Sequence, residues 1–130
     1  MYTDPIADMV IRIKNASLAR KSELILPYSK FKKNLAELLT KEGFVAEAQE
    51  VPGKFKQIKI VLKYSPSGDP VISGIKRISK PGQRIYLSAT KLPRTNSGLG
   101  ITVISTSRGL FTDAQARKAK VGGEAVCQVW

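Results

Sequence analysis

Two segments in the first half of the chain carry apolar residues at helical spacing. The first, residues 3–16, has one apolar stripe, and Pro5 lies in the first turn, so Thr3 or Asp4 is expected to cap a helix there. The second runs from Ser29 to Gly43, where a glycine suits the position after a helix. The predicted inward positions are Ile6, Met9, Val10, Ile13, Leu35, Leu38 and Leu39.

Shorter apolar segments predict strands. In residues 55–64 the apolar positions alternate with Lys59 and Lys63, which predicts a sheet with one wet, basic face. Beyond a breaker-rich segment strands dominate, and one short helix is expected where Thr112 and Gln115 fit a capping box. The other predicted strands are residues 23–27, 44–51, 71–78, 83–89, 101–106 and 124–130, with a long loop at 90–100.

The order of these elements indicates an α+β fold in two small lobes. The N-terminal lobe, residues 1–64, follows the order helix, strand, helix, strand, strand. Residues 65–70 are the predicted linker, because they are short and rich in proline, glycine and serine. Residues 71–130 then form a strand-dominated C-terminal lobe with one short helix.

The charge of the chain narrows the class of partner. Its 130 residues contain 22 Lys and Arg against 10 Asp and Glu, which gives a net charge of +12. Since 42% of the residues are hydrophobic, the chain can form a core, and the excess charge belongs to a folded body. Such an excess repels itself and favours a polyanion, so nucleic acid is the expected partner and an anionic membrane surface is far less favoured.

The residue inventory argues against catalysis, a metal site or a cofactor. The chain has no His and a single cysteine, Cys127, so the usual hydrolase and zinc sites lack their residues. The P-loop and nucleophile-elbow patterns are also absent. Cys127 lies in an apolar segment and is expected to be a buried structural thiol in a reducing compartment. We therefore expect a soluble, cytoplasmic, non-enzymatic protein without a signal peptide or membrane span.

The first candidate for contact with RNA is a run of three hydroxyls. Ser105, Thr106 and Ser107 end a predicted strand, and their short side chains suit phosphates, 2′-hydroxyls or base edges. Arg108 follows with a planar group that fits phosphate or guanine. The alternative interpretation of the same residues is an ordinary polar strand end and turn.

The second candidate combines glycines, an acid and an aromatic ring. Gly122 and Gly123 permit a close backbone approach or a positive φ. Glu124 either accepts from amino or 2′-hydroxyl groups of RNA or pairs with a nearby cation in a turn. Tyr86 either stacks on a base or packs in the core. The lysines of the first half are either phosphate contacts or solvated surface, and they include Lys30, Lys32, Lys33, Lys54 and Lys56.

Four ordered blocks of the sequence carry a resemblance to one family. They are DPIADMVIRIKNA at 4–16, ISKPGQRIY at 78–86, GLGITVISTSRGLFTDAQARKAKVGGE at 98–124 and the final CQVW. On these residues the chain resembles the bacterial-type small-subunit ribosomal protein number eight family. The likeness runs from end to end and is densest after residue 72.

The resemblance implies a two-lobed α+β protein without catalysis or cofactor. Members bind the central domain of small-subunit rRNA early in assembly, among neighbouring small-subunit ribosomal proteins in a bacterial or plastid ribosome. The C-terminal lobe recognises an irregular, internally bulged RNA helix. Some bacterial members also bind their own operon mRNA and repress its translation. The alternative function is a free-standing RNA- or DNA-binding regulator.

The resemblance also implies where this chain contacts RNA. The expected positions are Ser105, Thr106, Ser107, Gly122, Gly123, Glu124 and Tyr86 in the C-terminal lobe, with Thr3, Asp4 and Asn15 in the N-terminal lobe. Charge adds Arg108, Lys30, Lys33 and Lys56. Lys120 departs from the family, which commonly has glycine there, so a positive φ at this position would strain the lysine.

Overall fold

The computed structural model describes residues 4–91 and 100–130, which divide into two compact units. Of these residues, the N-terminal unit contains 8–73, and the C-terminal unit contains 4–7, 74–91 and 100–130. Three α-helices and two antiparallel sheets occur in the described residues, so the predicted α+β class is confirmed. The predicted linker at 65–70 stays a prediction, and these residues form a turn in which Ser65 N donates to Asp69 O at 2.8 Å.

The N-terminal unit contains most of the first helix and a three-stranded sheet. Its elements are α1 (Pro5–Leu18), β1 (Glu23–Pro27), α2 (Lys30–Lys41), β2 (Val45–Val51) and β3 (Gln57–Leu62). The strand order is β1-β3-β2, and both pairings are antiparallel. The predicted alternation in β3 is confirmed, because Ile58, Ile60 and Leu62 are buried while Lys59 and Lys63 are more exposed.

Local chemistry sets the ends of both helices. Asp4 caps α1, because its Oδ1 accepts from the backbone N of Ile6 at 3.2 Å and of Ala7 at 3.1 Å. Ser29 caps α2 by accepting from Lys32 N at 3.1 Å, and Gly43 follows the helix with a φ of 81°. The predicted cap at Asp4 and the predicted glycine after α2 are confirmed, the cap at Ser29 was not predicted, and Thr3 lies outside the described residues.

The C-terminal unit is a sheet organised around one strand. Its elements are β4 (Ile75–Arg77), β5 (Tyr86–Leu87), a single 3₁₀ turn (Ala89–Lys91), β6 (Ile101–Thr106), β7 (Gly109–Thr112), α3 (Asp113–Ala119) and β8 (Gly123–Val129). One edge of β8 pairs with both β4 and β5, and its other edge pairs with β6, which pairs in turn with β7.

The shared edge of β8 explains two differences from the predicted strands. Residues 71–78 and 83–89 were expected to be long strands, but β4 has three residues and β5 has two. Because both pair with the same edge of β8, each is restricted to part of its length. Strand β7 was not predicted, and it forms a hairpin with β6.

Helix α3 and the sheet bury a small apolar core. Ile104, Ala116 and Ala125 are buried at its centre, with partly buried apolar side chains packed around them. The capping box of α3 is confirmed, since Gln115 N donates to Thr112 Oγ1 at 3.1 Å and Thr112 N donates to Gln115 Oε1 at 3.0 Å. Cys127 is buried as expected, and burial raises the pKa of its thiol to about 12.

Membrane insertion through a helix has no support in this structure. Within residues 4–91 and 100–130, the helices lack the combination of length and apolar composition that crossing a bilayer requires.

Candidate nucleic-acid interface

Three of the predicted RNA-binding residues lie side by side across the C-terminal sheet. Tyr86 of β5 is directly opposite Glu124 of β8, and Glu124 is directly opposite Ser105 of β6. Directly opposed residues on antiparallel strands place their side chains on the same face, with Cβ atoms about 5 Å apart. We refer to Tyr86, Glu124 and Ser105 as the exposed row, in which Tyr86 is exposed and the other two residues are partly buried.

The exposed row faces away from the core. Ile85 and Leu87, on either side of Tyr86, pack against the core cluster, and Tyr86 is 69% exposed. Ile104 and Ala125, which precede Ser105 and follow Glu124, belong to the buried cluster itself. The structure therefore excludes a core position for Tyr86, because its ring lies on the solvent side of the sheet, and stacking on a base stays a prediction.

The two glycines before the acid allow the strands to approach one another. A Cβ on Gly123 would overlap the carbonyl oxygen of Ser105, and a Cβ on Gly122 would overlap that of Leu87. Neither glycine has a positive φ. Their role in this sheet is therefore close backbone packing beside the exposed row, which alanine at either position would disturb.

Glu124 has a cation beside it. Arg84 Nη1 donates to Glu124 Oε2 at 3.1 Å, and the Glu124 side chain is 20% exposed. The sequence left open whether this acid pairs with a cation or accepts from RNA. The ion pair offsets the charge that would repel phosphate, and Oε1 has no hydrogen bond from the part of the protein that the structure describes, so it can still accept one.

The hydroxyl run continues from the row into the β6–β7 hairpin turn. Thr106 Oγ1 donates to Gly109 O at 2.8 Å and accepts from Arg108 N at 3.1 Å, so this hydroxyl holds the turn together. Ser107 and Arg108 are exposed at the end of the hairpin, and Gly109 has a φ of 114°. Of the run, Ser105 belongs to the exposed row, Thr106 stabilises the turn, and Ser107 faces solvent with Arg108.

Lys120 lies in the left-handed region that its sequence position suggested. It follows α3 with a φ of 57° and a ψ of 40°, and its backbone N–H donates to the last turn of the helix. Glycine adopts this conformation freely, whereas an L-residue with a side chain is strained by about 1–2 kcal/mol. The chain therefore has an exposed lysine two residues before Gly122 at a conformational cost.

Asp4 is occupied by contacts within the protein. Besides capping α1, it forms an ion pair with Arg77, whose Nε lies 3.1 Å from Asp4 Oδ2. Burial acts to raise the pKa of Asp4, but the hydrogen bonds from Arg77 and from the backbone of Ala7 and Ile6, with the Arg77 charge, give a lowered pKa. This carboxylate has a structural role here.

The candidate residues of the N-terminal unit are not all brought together, and only Lys33 and Lys56 share a contact. Asn15 is exposed on α1 and lines a groove with residues of β1. Lys33 Nζ lies 2.7 Å from Glu50 Oε1, and Lys56 Nζ lies 3.2 Å from Glu50 Oε2, so one carboxylate binds two lysines. Hydrogen bonding and the charge of Glu50 raise the pKa of Lys33, which stays protonated. Lys30 is exposed at the start of α2.

Arg84 is a site residue that the sequence interpretation missed. It sets the charge of the exposed row by pairing with Glu124. The signal was present, because Arg84 and Tyr86 are two residues apart and strand alternation puts them on one face. Alternation alone leaves open which face of that segment is buried.

Comparison with known proteins identifies the family to which the chain belongs. The family model described as ribosomal protein S8 matches residues 4–130. The chain belongs to the ribosomal protein S8 family. The resemblance predicted from the sequence is therefore confirmed, and the match covers both units.

Individual relatives are similar to this chain over its whole length. Small ribosomal subunit protein uS8 of Caldanaerobacter subterraneus subsp. tengcongensis is 56% identical over 131 residues, which cover 100% of this chain and 99% of the relative. The proteins of the same name from Thermoanaerobacter sp. (strain X514) and Sorangium cellulosum (strain So ce56) are 51% and 49% identical, each over 100% of this chain.

Proposed function

We propose that the protein binds the central domain of small-subunit rRNA early in subunit assembly, chiefly through its C-terminal unit. As a member of the ribosomal protein S8 family, it is a structural constituent of the small ribosomal subunit and not an enzyme. In that setting its partners are rRNA and other ribosomal proteins, and its location is the ribosome. The proposal adds which RNA region it binds and with which surface.

The exposed row carries the proposal. Three neighbouring strands of a strongly basic unit carry a solvent-facing tyrosine ring, a carboxylate paired with Arg84, and a serine hydroxyl. A tyrosine ring can stack on an unpaired base, and the two oxygen-bearing side chains can bond base edges or 2′-hydroxyls. An apolar protein partner would gain little from this combination, because two of the three side chains are polar.

Affinity and selectivity then come from different groups. Lysine and arginine side chains attract phosphate in a salt-dependent manner and carry no information on sequence. The hairpin and the sheet hold the exposed row and the turn residues Ser107 and Arg108 in fixed positions. These residues therefore fit an RNA whose backbone has one particular shape. Selectivity for an irregular RNA helix would come from this second set.

The same surface would bind an mRNA that presents the same contour. Binding to the protein's own operon mRNA is therefore part of the proposal, and competition between that mRNA and the rRNA fragment tests it. A free-standing regulator is the less favoured alternative, because full-length relatives are named as small ribosomal subunit proteins.

Chemical footprinting of intact small-subunit rRNA tests the proposal. We expect the wild-type protein to protect nucleotides of the central domain, and Ser107→Trp to lose this protection while retaining weak binding to unrelated RNA. The matched control is Ser73→Trp, at an exposed serine of the N-terminal unit, and it should give the wild-type footprint. Protection confined to another domain, or an unchanged footprint with Ser107→Trp, would contradict the proposal.

A further inference from the structure

The connection between β2 and β3 exposes an aromatic ring outside the C-terminal unit. Phe55 is 78% exposed, which is more than any other large apolar side chain that the structure describes. It lies between Lys54 and Lys56, and all three residues are exposed. We refer to Lys54, Phe55 and Lys56 as the aromatic tip. Its phenyl ring contributes little to the core, so its exposure needs another explanation.

Cations lie over the aromatic rings at this end of the sheet. Lys54 Nζ is 5.8 Å from the centroid of the Phe55 ring, and Lys56 Nζ is 4.5 Å from that of Tyr28. Tyr28 is held there because its backbone N donates to Lys56 O at 3.1 Å. Exposed cation–π contacts of this kind contribute little to folding. The ring of Phe55 has two faces, and the Lys54 ammonium covers at most one of them.

The charge around the tip suits an anionic ligand. Residues 51–57 contain no Asp or Glu. The carboxylate that contacts the tip, Glu50, is shared between Lys33 and Lys56. A phosphate that approaches Lys54 would therefore meet cations and one already neutralised acid.

We propose that the aromatic tip binds one unpaired nucleotide of single-stranded RNA, with the base stacked on Phe55 and the phosphate on Lys54. This second site rests on the proposed function, because it takes RNA as the partner, and it lies in a separate unit from the exposed row. An acidic protein segment would satisfy the lysines, but it has no flat group for the phenyl face. A base attached to a phosphate supplies both groups at once.

The test uses the full-length protein and a decamer of uridine as the probe. Phe55→Trp places a fluorescent ring at the tip, and the wild-type protein gives the background from Trp130. The decamer should quench the added emission, whereas a fully paired RNA duplex of equal length and an oligoglutamate peptide should not. If the duplex or the peptide quenches as strongly as the decamer, the proposal is overturned. Strong quenching by the peptide would indicate a protein-binding surface instead.

Affinity for the decamer separates stacking from general apolar contact. Loss of a stacked base predicts that Phe55→Ala binds the decamer about fivefold to a hundredfold more weakly. Phe55→Leu, which keeps an apolar side chain but no flat ring, should lose nearly as much. The matched control is Leu18→Ala, since Leu18 is 71% exposed in the same unit, and it should bind as the wild type does. Unchanged affinity for Phe55→Ala would overturn the proposal.

The same measurements keep the two proposals apart. If Phe55→Ala binds the decamer normally while the wild type still protects the central domain of rRNA, only the aromatic tip is excluded. If the wild type protects no central-domain nucleotides, the proposed function is wrong whatever the decamer shows.

Discussion

The two units of this protein use positive charge in different ways. In the N-terminal unit, lysines pair with glutamates on the surface, as Lys33 and Lys56 do with Glu50 and as Lys59 does with Glu23 at 3.2 Å. In the C-terminal unit each carboxylate pairs with an arginine, in the pairs Asp4–Arg77, Asp113–Arg117 and Glu124–Arg84. The first unit thus pairs several lysines as well as two arginines, Arg12 with Asp8 and Arg20 with Asp69, whereas the ion pairs of the second unit within the described residues all use arginines.

Both units keep exposed cations that have no carboxylate partner, and their net charges differ. In the described part of the C-terminal unit, several exposed cations have no carboxylate within the 4.0 Å that defines an ion pair. They are Lys76, Lys80, Arg108, Lys118 and Lys120. The described part of the N-terminal unit has six such lysines, which are Lys14, Lys21, Lys30, Lys41, Lys54 and Lys63. The C-terminal unit is nevertheless the better electrostatic partner for RNA, because it contains 10 basic and 3 acidic residues against 12 and 7 in the N-terminal unit.

The largest expected effect concerns an arginine that holds the C-terminal unit together. The side chain of Arg77 is 8% exposed, and besides its pair with Asp4 it donates to Val126 O at 2.7 Å. Arg77→Ala leaves a mostly buried carboxylate without its partner, so we expect the free energy of unfolding to fall by about 3 kcal/mol in urea titrations. The control Arg108→Ala removes an exposed arginine and should change it by less than about 0.5 kcal/mol. Equal losses would show that the two arginines do not differ in role.

The pH dependence of stability tests the contribution of Asp4 to the same ion pair. Because the folded-state pKa of Asp4 is lowered from its ordinary value of 3.8, its contribution is complete above that value and is lost as the pH falls through the lowered pKa. Urea unfolding between about pH 6 and about pH 2 should show the wild type losing more stability than Asp4→Asn. Parallel curves for the two proteins would mean that Asp4 does not contribute in this way.

The next largest effect concerns RNA affinity through the exposed row. Tyr86→Ala should weaken binding to a central-domain rRNA fragment by about 1–3 kcal/mol, the usual contribution of one aromatic ring stacked on a base. Tyr86→Phe keeps the ring and should bind within a few-fold of the wild type. Filter binding at fixed salt measures both variants. If Ala and Phe weaken binding equally, the hydroxyl rather than the ring makes the contact.

A smaller effect compares Lys120 with Arg20, the two non-glycine residues with positive φ in residues 4–91 and 100–130, one in each unit. Lys120 has a φ of 57° and Arg20 has a φ of 55°. Lys120→Gly should raise the free energy of unfolding by about 1 kcal/mol, because glycine relieves the strain. Arg20→Gly should raise it less, since the Arg20 side chain donates to Gly68 O and pairs with Asp69. Lys118→Gly, inside α3, should instead lower it by about 1 kcal/mol.

The smallest expected effect is on the salt dependence of RNA binding. A cation that contacts one phosphate contributes about 0.7–0.9 to the slope of log affinity against log salt. Arg108→Ala should lower the slope by about this amount, because Arg108 lies exposed beside Ser107 without an ion pair in the described structure. Lys33→Ala should lower it by less, since Lys33 pairs with Glu50. Equal changes would remove the distinction between paired and unpaired cations.

Features governed by neighbours in sequence were predictable. The caps at Asp4 and Thr112, and the glycine after α2, depend on groups within a few residues. The buried face of β3 follows from simple alternation. Each of these was predicted because the physical cause lies within one short segment of the chain.

Features governed by strand pairing were not predictable in the same way. The two-residue length of β5 depends on where β4 ends along β8, and β7 exists because Thr106 and Gly109 close a hairpin without a strong turn signal. The alignment of Tyr86, Glu124 and Ser105 requires a register between segments far apart in the chain. Composition and spacing identified these residues as candidates for RNA contact, but only the strand register shows that they lie on the same face of the sheet.

The irregularity in β8 adds a constraint on how this chain can vary. The register of β6 and β8 shifts between Val103 and Ile104, so that Val126 has no partner on β6. Deleting that residue would leave the β6 partners of Ala125 and Glu124 in place, but it would remove the Val126 carbonyl, which accepts from Ile78 N and Arg77 Nη1 on the other side of the strand. We therefore expect that variants tolerate substitution along this strand far better than a change in its length.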